Sequence, residues 1–199
     1  MTMTELPPLS PNAAGDPDIE SATAAAEAML VALGVDTSAP HMQRTAERLV
    51  QAYAELLTPA PFTATDFDNV GHHRGFVIVQ QVPFGAICSH HLLPFVGTAT
   101  VGYLPGNRLL GLSKLARLVE QAARGLQVQE GLTQHIADEL GKVVPDHGGI
   151  GVIVRAEHLC MTVRGVRARD TATVTTTWRG GLDADAGLRA EFLTLTGQR

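Results

Sequence analysis

Residues 75–84, GFVIVQQVPF, mark the point at which the sequence changes from a helical to an extended pattern. This segment and residues 95–105, FVGTATVGYLP, are rich in β-branched and aromatic residues, and both are bounded by glycine and proline. That composition predicts two strands. Residues 149–158 and 171–180 predict two more, the last of them alternating threonine with other side chains.

Apolar residues at helical spacing predict helices before, between and after these strands. The predicted helices cover residues 19–33, 41–59, 112–127, 130–144 and 185–197. Gly34 and Pro59 end the first two, and Ser113 is the predicted N-cap of the third. This order of elements indicates an α+β fold with a mostly antiparallel sheet, rather than a doubly wound fold.

The composition limits the class of protein. A chain of 199 residues, 45% of them hydrophobic, predicts one globular domain over residues 18–199. Within it we expect a helical N-terminal part, 18–60, and a core, 75–199, preceded by a disordered tail, 1–17. The net charge of −5 gives no overall case for nucleic acid or an anionic membrane. No apolar run is long enough to span a bilayer, and the N-terminus has no signal-peptide pattern, so we expect a cytoplasmic protein.

Both cysteines of the chain stand beside histidines. Cys88 and His91 form a C-x-x-H pattern in GAICSHHLLPF, and Cys160 follows His158 in AEHLCMTVRGV. Two thiolates and one imidazole suit Zn²⁺ and leave a fourth position open for water, which is typical of catalytic rather than structural zinc. His90 and His158 would then be unligated imidazoles able to move protons.

The spacing of these residues alone leaves other interpretations open. The cysteines could hold a structural metal, or they could be small buried hydrophobic residues. A disulfide between Cys88 and Cys160 is the least expected arrangement, because the cytoplasm is reducing.

Several motifs in register resemble the GTP cyclohydrolase I family. They are TAERLVQAY (45–53), CSHHLLPF (88–95), GLSKLARLVEQAARGLQVQEGLTQHIADEL (111–140), HLCMTVRGVRARDTATVTT (158–176) and LRAEFL (188–193). The likeness runs from about Thr45 to Leu193. It implies a tunnelling fold (T-fold), with an antiparallel sheet and helices on one side. It also implies a ring-shaped homodecamer with active sites at subunit interfaces.

The resemblance also implies a reaction, the first step of pterin and tetrahydrofolate biosynthesis. GTP would be hydrolysed at C8 of its guanine, formate would leave, and the rearranged product would be 7,8-dihydroneopterin triphosphate. Cys88, His91 and Cys160 match the family's zinc ligands. His90 and His158 match its acid/base histidines.

Further residues match the family's substrate contacts. Glu130 matches the carboxylate that holds the guanine N1 and exocyclic amine, and a carboxylate can accept both N–H bonds; Gln129 stands beside it. The implied triphosphate contacts are Ser113, Lys114, Arg117 and Arg164, with Arg48 supplied by a neighbouring subunit.

Ser89 is the main departure, because the family's stretch is normally C-E-H-H and here it is C-S-H-H. A serine at this position removes a negative charge and a strong acceptor beside the metal site. Two alternatives therefore stand beside an ordinary GTP cyclohydrolase I. One is a divergent paralogue with an altered substrate or a truncated ring-opening reaction. The other is a catalytically silent T-fold subunit that binds a purine or a pterin.

Overall fold

The structure is a computed structural model that describes residues 16–59 and 63–197. Apart from its last two positions, the predicted tail, 1–17, lies outside the described residues. The described residues form two sheets. The strands are β1 Asp66–Asp68, β2 Val77–Cys88, β3 Pro94–Leu104, β4 Arg108–Leu110, β5 Leu126–Gln127, β6 Gly149–His158 and β7 Thr173–Gly180.

Helices precede, interrupt and follow these strands. They are α1 Ile19–Ala32, α2 Thr45–Leu57, α3 Leu112–Ala122, α4 Gln129–Val143, α5 Leu159–Thr162, α6 Gly181–Ala184 and α7 Ala186–Leu195. The five predicted helices and four predicted strands are confirmed, β6 with the predicted ends and the others with one or both ends shifted. The elements β1, β4, β5, α5 and α6 were not predicted. All of these five are four residues or shorter, so they carry too little periodicity to be recognised. No described helix is long and apolar enough to cross a membrane.

The predicted N-cap of α3 is wrong. Gly111 occupies the cap position and Leu112 is the first helical residue, so Ser113 lies inside the first turn. An N-cap must precede the helical residues for its side chain to reach their free N–H groups, and the serine comes two positions too late.

The main sheet has the strand order β5-β2-β3-β6-β7. All neighbours in it are antiparallel except β5, which pairs with β2 in parallel. This arrangement confirms the α+β fold class with a mostly antiparallel sheet. The short strands β1 and β4 form a separate antiparallel pair.

Both faces of the main sheet are covered, but by different helices. Val101 and Tyr103 of β3 pack with α3 and α4 in the larger hydrophobic core. On the opposite face, Ile153 of β6 packs with Phe192 of α7. The resemblance implied helices on one side of the sheet, and α3 and α4 do share one face. Helix α7 packs on the other face, to which the alternate residues of each strand point.

Strands β3 and β6 approach each other closely at Gly97. This residue of β3 stands opposite Ala156 of β6. A Cβ atom at Gly97 would lie 2.0 Å from the carbonyl oxygen of Arg155 and 2.6 Å from the Cα of Ala156. Only glycine therefore allows the two strands their observed separation.

We expect Gly97→Ala to lower the free energy of unfolding by about 3 kcal/mol, at the upper end of what overpacking costs, because main-chain atoms must move. Thermal or denaturant unfolding measures this loss. Gly85→Ala in β2 is the matched control, since its Cβ would meet only Val96 Cγ1, at 3.7 Å. Equal stability of the two variants would contradict the close approach.

Candidate metal centre

The ends of two strands that flank β3, namely β2 and β6, bring the two cysteine segments together. β2 ends at Cys88 and β6 ends at His158, and Cys160 follows in the single-turn helix α5. The register between β3 and β6 places Phe95 opposite His158. Because β3 also pairs with β2 up to Ile87, both segments finish at the same edge of the sheet.

Cys88, His158 and Cys160 form what we call the Cys–His group. One ligand atom from each of the three lies within 4.8 Å of the other two. Both thiols are free, so the disulfide alternative does not hold. Burial raises the pKa of the Cys160 thiol above its ordinary value, and the neighbouring Cys88 raises it further. A bound cation would oppose both effects, because cysteine binds metal ions as the thiolate.

His90 and His91 stand outside the Cys–His group. Both side chains are exposed on the turn after β2, with ring centroids 6.3 Å apart. The imidazole that the structure places with the thiols is that of His158, which the end of β6 positions rigidly. The role of His91 as a metal ligand stays a prediction.

Tyr53 ties the turn that carries these two histidines to helix α2. Its hydroxyl donates a hydrogen bond of 2.5 Å to the carbonyl oxygen of Leu92, a non-glycine residue with φ of 53°. Within the turn, the Leu92 N–H donates to the Cys88 carbonyl and the Cys88 N–H donates to Leu93. The sequence indicated only a helical apolar position for Tyr53, because its partner lies 39 residues away.

Gln129 is buried against the Cys–His group. Only 2% of the residue is exposed. Its Oε1 lies 2.8 Å from His158 Nε2, and its Nε2 donates to the carbonyls of Val154 and Thr173. The predicted substrate contact of Gln129 therefore involves a carboxamide whose two ends already have protein partners.

The imidazole of His158 is held on its flat side as well. The Phe95 ring stacks on it with a centroid distance of 4.6 Å and an interplanar angle of 1°. Burial lowers the pKa of His158 below its ordinary value, and the charge of Glu130 opposes this shift in part. The environment therefore favours the neutral ring.

The remaining predicted residues lie around this centre or away from it. Glu130 is exposed in the first turn of α4, and Ser89 is half-buried, its N–H donating to the Gln127 carbonyl. Lys114 Nζ donates to the carbonyl of Thr63, and Arg48 donates to the carbonyl of His41. These two cations thus have main-chain partners outside the Cys–His group.

Arg117 lines a surface cavity of about 450 Å³ between α2, β2 and α3. None of the residues lining this cavity belongs to the Cys–His group. Arg164 lies just beyond α5, and its charge acts to lower the pKa of Cys160, though less than burial raises it. A single chain therefore gathers the thiols, His158 and Gln129, but leaves Arg117 on a different surface.

The chain is similar to proteins of one family over most of its length. The family model described as GTP cyclohydrolase I matches residues 22–197. The chain is 42% identical to "GTP cyclohydrolase 1" of Halalkalibacterium halodurans, covering 89% of this chain and 96% of that protein. It is 40% identical to the protein of the same name from Corynebacterium glutamicum (strain R), covering 89% and 93%. For the Brucella anthropi protein of that name the identity is 37%, covering 92% and 87%.

We expect Tyr53→Phe to loosen the turn that carries His90 and His91, because it removes the hydrogen bond to Leu92. The net loss of stability should be about 1 kcal/mol. Hydrogen exchange followed by mass spectrometry should show faster exchange over residues 89–92.

The control for this variant is Tyr103→Phe. It also removes a hydroxyl that takes part in a hydrogen bond, here one accepted from the Leu110 N–H, but on β3 within the core. It should destabilise the protein without changing exchange over residues 89–92. Unchanged exchange over residues 89–92 in Tyr53→Phe would show that the hydrogen bond between Tyr53 and Leu92 does not hold the turn.

Proposed function

The chain belongs to the GTP cyclohydrolase I family, and on that premise we propose that it converts GTP to 7,8-dihydroneopterin triphosphate and formate with a bound zinc ion. The observation that carries the proposal is the convergence of two free thiols and an imidazole at one edge of the sheet. Two soft sulfur donors and one nitrogen donor are the ligand types that zinc prefers among the common cellular cations.

The spacing of the Cys–His group fits such an ion. Two sulfurs bound tetrahedrally at about 2.3 Å lie about 3.8 Å apart. The sulfurs of Cys88 and Cys160 lie within 4.8 Å of each other, so a movement of at most about 1 Å would let both bind one ion. Three protein ligands leave the fourth position for water, and a bound zinc ion lowers the pKa of that water to about 7.

We propose His91 as the third ligand, with His90 and His158 as proton carriers. The C-x-x-H spacing supports His91, since both ligands then come from one turn. The position of His158 within the Cys–His group supports a role directly beside the reacting atoms. A neutral ring that can accept a proton at one nitrogen suits an acid/base role near neutral pH.

Glu130 is proposed to accept the guanine N1–H and exocyclic amine. Its exposed carboxylate at the start of α4 lies close enough to His158 to influence the pKa of that ring. A guanine held there would present its five-membered ring to the Cys–His group. Ser89, next to Cys88, would meet the substrate with a neutral hydroxyl in place of a carboxylate.

The triphosphate is proposed to bind a set of positive charges completed by a second subunit. The set comprises Ser113, Lys114, Arg117, Arg164 and Arg48. Arg117 lies on a surface apart from the Cys–His group within one chain, which supports a site shared between subunits. A ring-shaped homodecamer in the reducing cytoplasm, where both thiols stay free, is the proposed assembly.

Zinc content tests the ligand assignment. We expect about one zinc per chain in the wild type and a loss of most of it in Cys88→Ser and Cys160→Ser, because each removes a thiolate. His91→Ala should lose zinc to the same degree, whereas His158→Ala should keep zinc and lose turnover. Elemental analysis after dialysis measures the content.

The opposite pattern for the two histidines would assign His158 as the ligand and His91 as a proton carrier. Full zinc content in both cysteine variants would contradict the metal centre itself.

Formate release from GTP, together with product mass, tests the reaction. We expect the zinc-loaded wild type to release formate and to form a product that fluoresces after oxidation. Ser89→Glu should raise turnover if the missing carboxylate limits the rate. A product that retains the formyl group, at the mass of hydrated GTP, would instead support the truncated reaction that Ser89 suggests.

A further inference from the structure

We propose that Gln129 is a positioning residue that holds the neutral His158 ring with its proton on Nε2, leaving Nδ1 with the free lone pair. This inference deepens the proposed function and rests on it for the catalytic consequence only. The tautomer itself follows from the hydrogen-bonding contacts of the Gln129 carboxamide.

The two ends of this carboxamide are distinguishable by their partners. The Nε2 atom lies 3.1 Å from the carbonyl oxygen of Val154 and 3.0 Å from that of Thr173. A main-chain carbonyl can only accept a hydrogen bond. Turning the amide over would place Oε1 against two carbonyl oxygens in a buried site and lose both bonds. The NH₂ end therefore faces the carbonyls, and the orientation follows from the partners.

The orientation of the amide determines which of its two end atoms, oxygen or nitrogen, faces the His158 ring. Oε1 is the end left facing the ring, and it lies 2.8 Å from His158 Nε2. An amide oxygen can only accept, so the imidazole nitrogen must donate. A neutral imidazole carries one proton, and with that proton on Nε2 the lone pair is on Nδ1.

Two threonines brace the carboxamide from the other side. Thr175 Oγ1 lies 3.2 Å from Gln129 Nε2 and 2.6 Å from Thr133 Oγ1. Thr133 Oγ1 in turn donates to the Gln129 carbonyl over 2.7 Å. The hydroxyl of Thr133 thus uses its proton on the main chain, which leaves Thr175 to donate to Thr133. Because the two N–H groups of Gln129 face three acceptors, Thr175 Oγ1 shares one of them with a carbonyl.

The ring of His158 can then neither flip nor swing. Stacking on Phe95, which is 0% exposed, fixes its plane, and the Gln129 bond fixes its rotation within that plane. Outer partners of this kind are what keep a metal-site or acid/base imidazole in one tautomer. Nδ1 is therefore the nitrogen that can accept a proton or bind a metal ion, whichever of these roles His158 has beside the thiols.

The tautomer can be measured directly by NMR of protein labelled with nitrogen isotope in histidine. Protonated and lone-pair imidazole nitrogens have well separated chemical shifts, and the His158 signals are identified by their absence from His158→Gln. At a pH where the ring is neutral, we expect the wild type to carry the proton on Nε2. A proton on Nδ1 would overturn the proposal without any need for a variant at Gln129.

Gln129→Met keeps the shape of the side chain and removes both of its hydrogen-bonding ends. We expect the His158 signals to shift towards a mixture of tautomers. Gln127→Met is the matched control, because Gln127 is also buried and donates to two main-chain carbonyls, those of Ala122 and Arg124, with no imidazole contact. It should lower stability and leave the His158 tautomer unchanged. An unchanged tautomer in Gln129→Met would overturn the proposal.

Kinetics separate positioning from substrate contact. We expect kcat for formate release in Gln129→Met to fall about 10- to 100-fold, as for outer partners of ligands, with KM for GTP nearly unchanged. A raised KM at unchanged kcat would assign Gln129 to substrate binding instead. If the wild type releases no formate, the proposed reaction fails, while the tautomer of His158 in the same sample still decides the inference about Gln129.

Discussion

The candidate site depends on the antiparallel ladder between β3 and β6. Its register places Gly97 opposite Ala156 and Phe95 opposite His158. A shift of one residue would turn His158 to the other face of the sheet, away from the thiols, because successive side chains alternate. The absence of a side chain at Gly97 lets the two strands reach this register, so a packing requirement in the sheet sets the geometry of the candidate metal centre.

Around that ladder, the polar groups of the site are held by side chains that are not proposed to take part in the reaction. Phe95 supplies a flat surface for the His158 ring, Gln129 supplies an acceptor for one ring nitrogen, and Tyr53 anchors the turn after β2. All three lie on elements with regular backbone, and regular elements place side chains more accurately than loops do. In contrast, the turn that carries the exposed histidines is held by hydrogen bonds of Cys88, Ser89 and Leu92.

The protein has a negative net charge, whereas the proposed substrate is an anion. The net charge is −5, so attraction for a triphosphate must come from a local set of cations. Within one chain those cations have other partners or lie on another surface, as Lys114 and Arg117 do. In the proposed assembly of several copies, cations from a second subunit would lie near the site.

Residue types and their order along the chain determined the family, the α+β class, and the main helices and strands. They also singled out the two cysteines with their histidines as the candidate site. These features depend on residues close together in sequence. Periodicity indicates which face of an element is buried, and C-x-x-H spacing indicates that both side chains come from one turn. Only the tertiary structure decided that His158 rather than His91 lies among the thiols, that Gln129 is interior, and that α7 covers the second face of the sheet. Each of these depends on strand register and on which face a side chain occupies, and both are set by contacts between residues far apart in sequence.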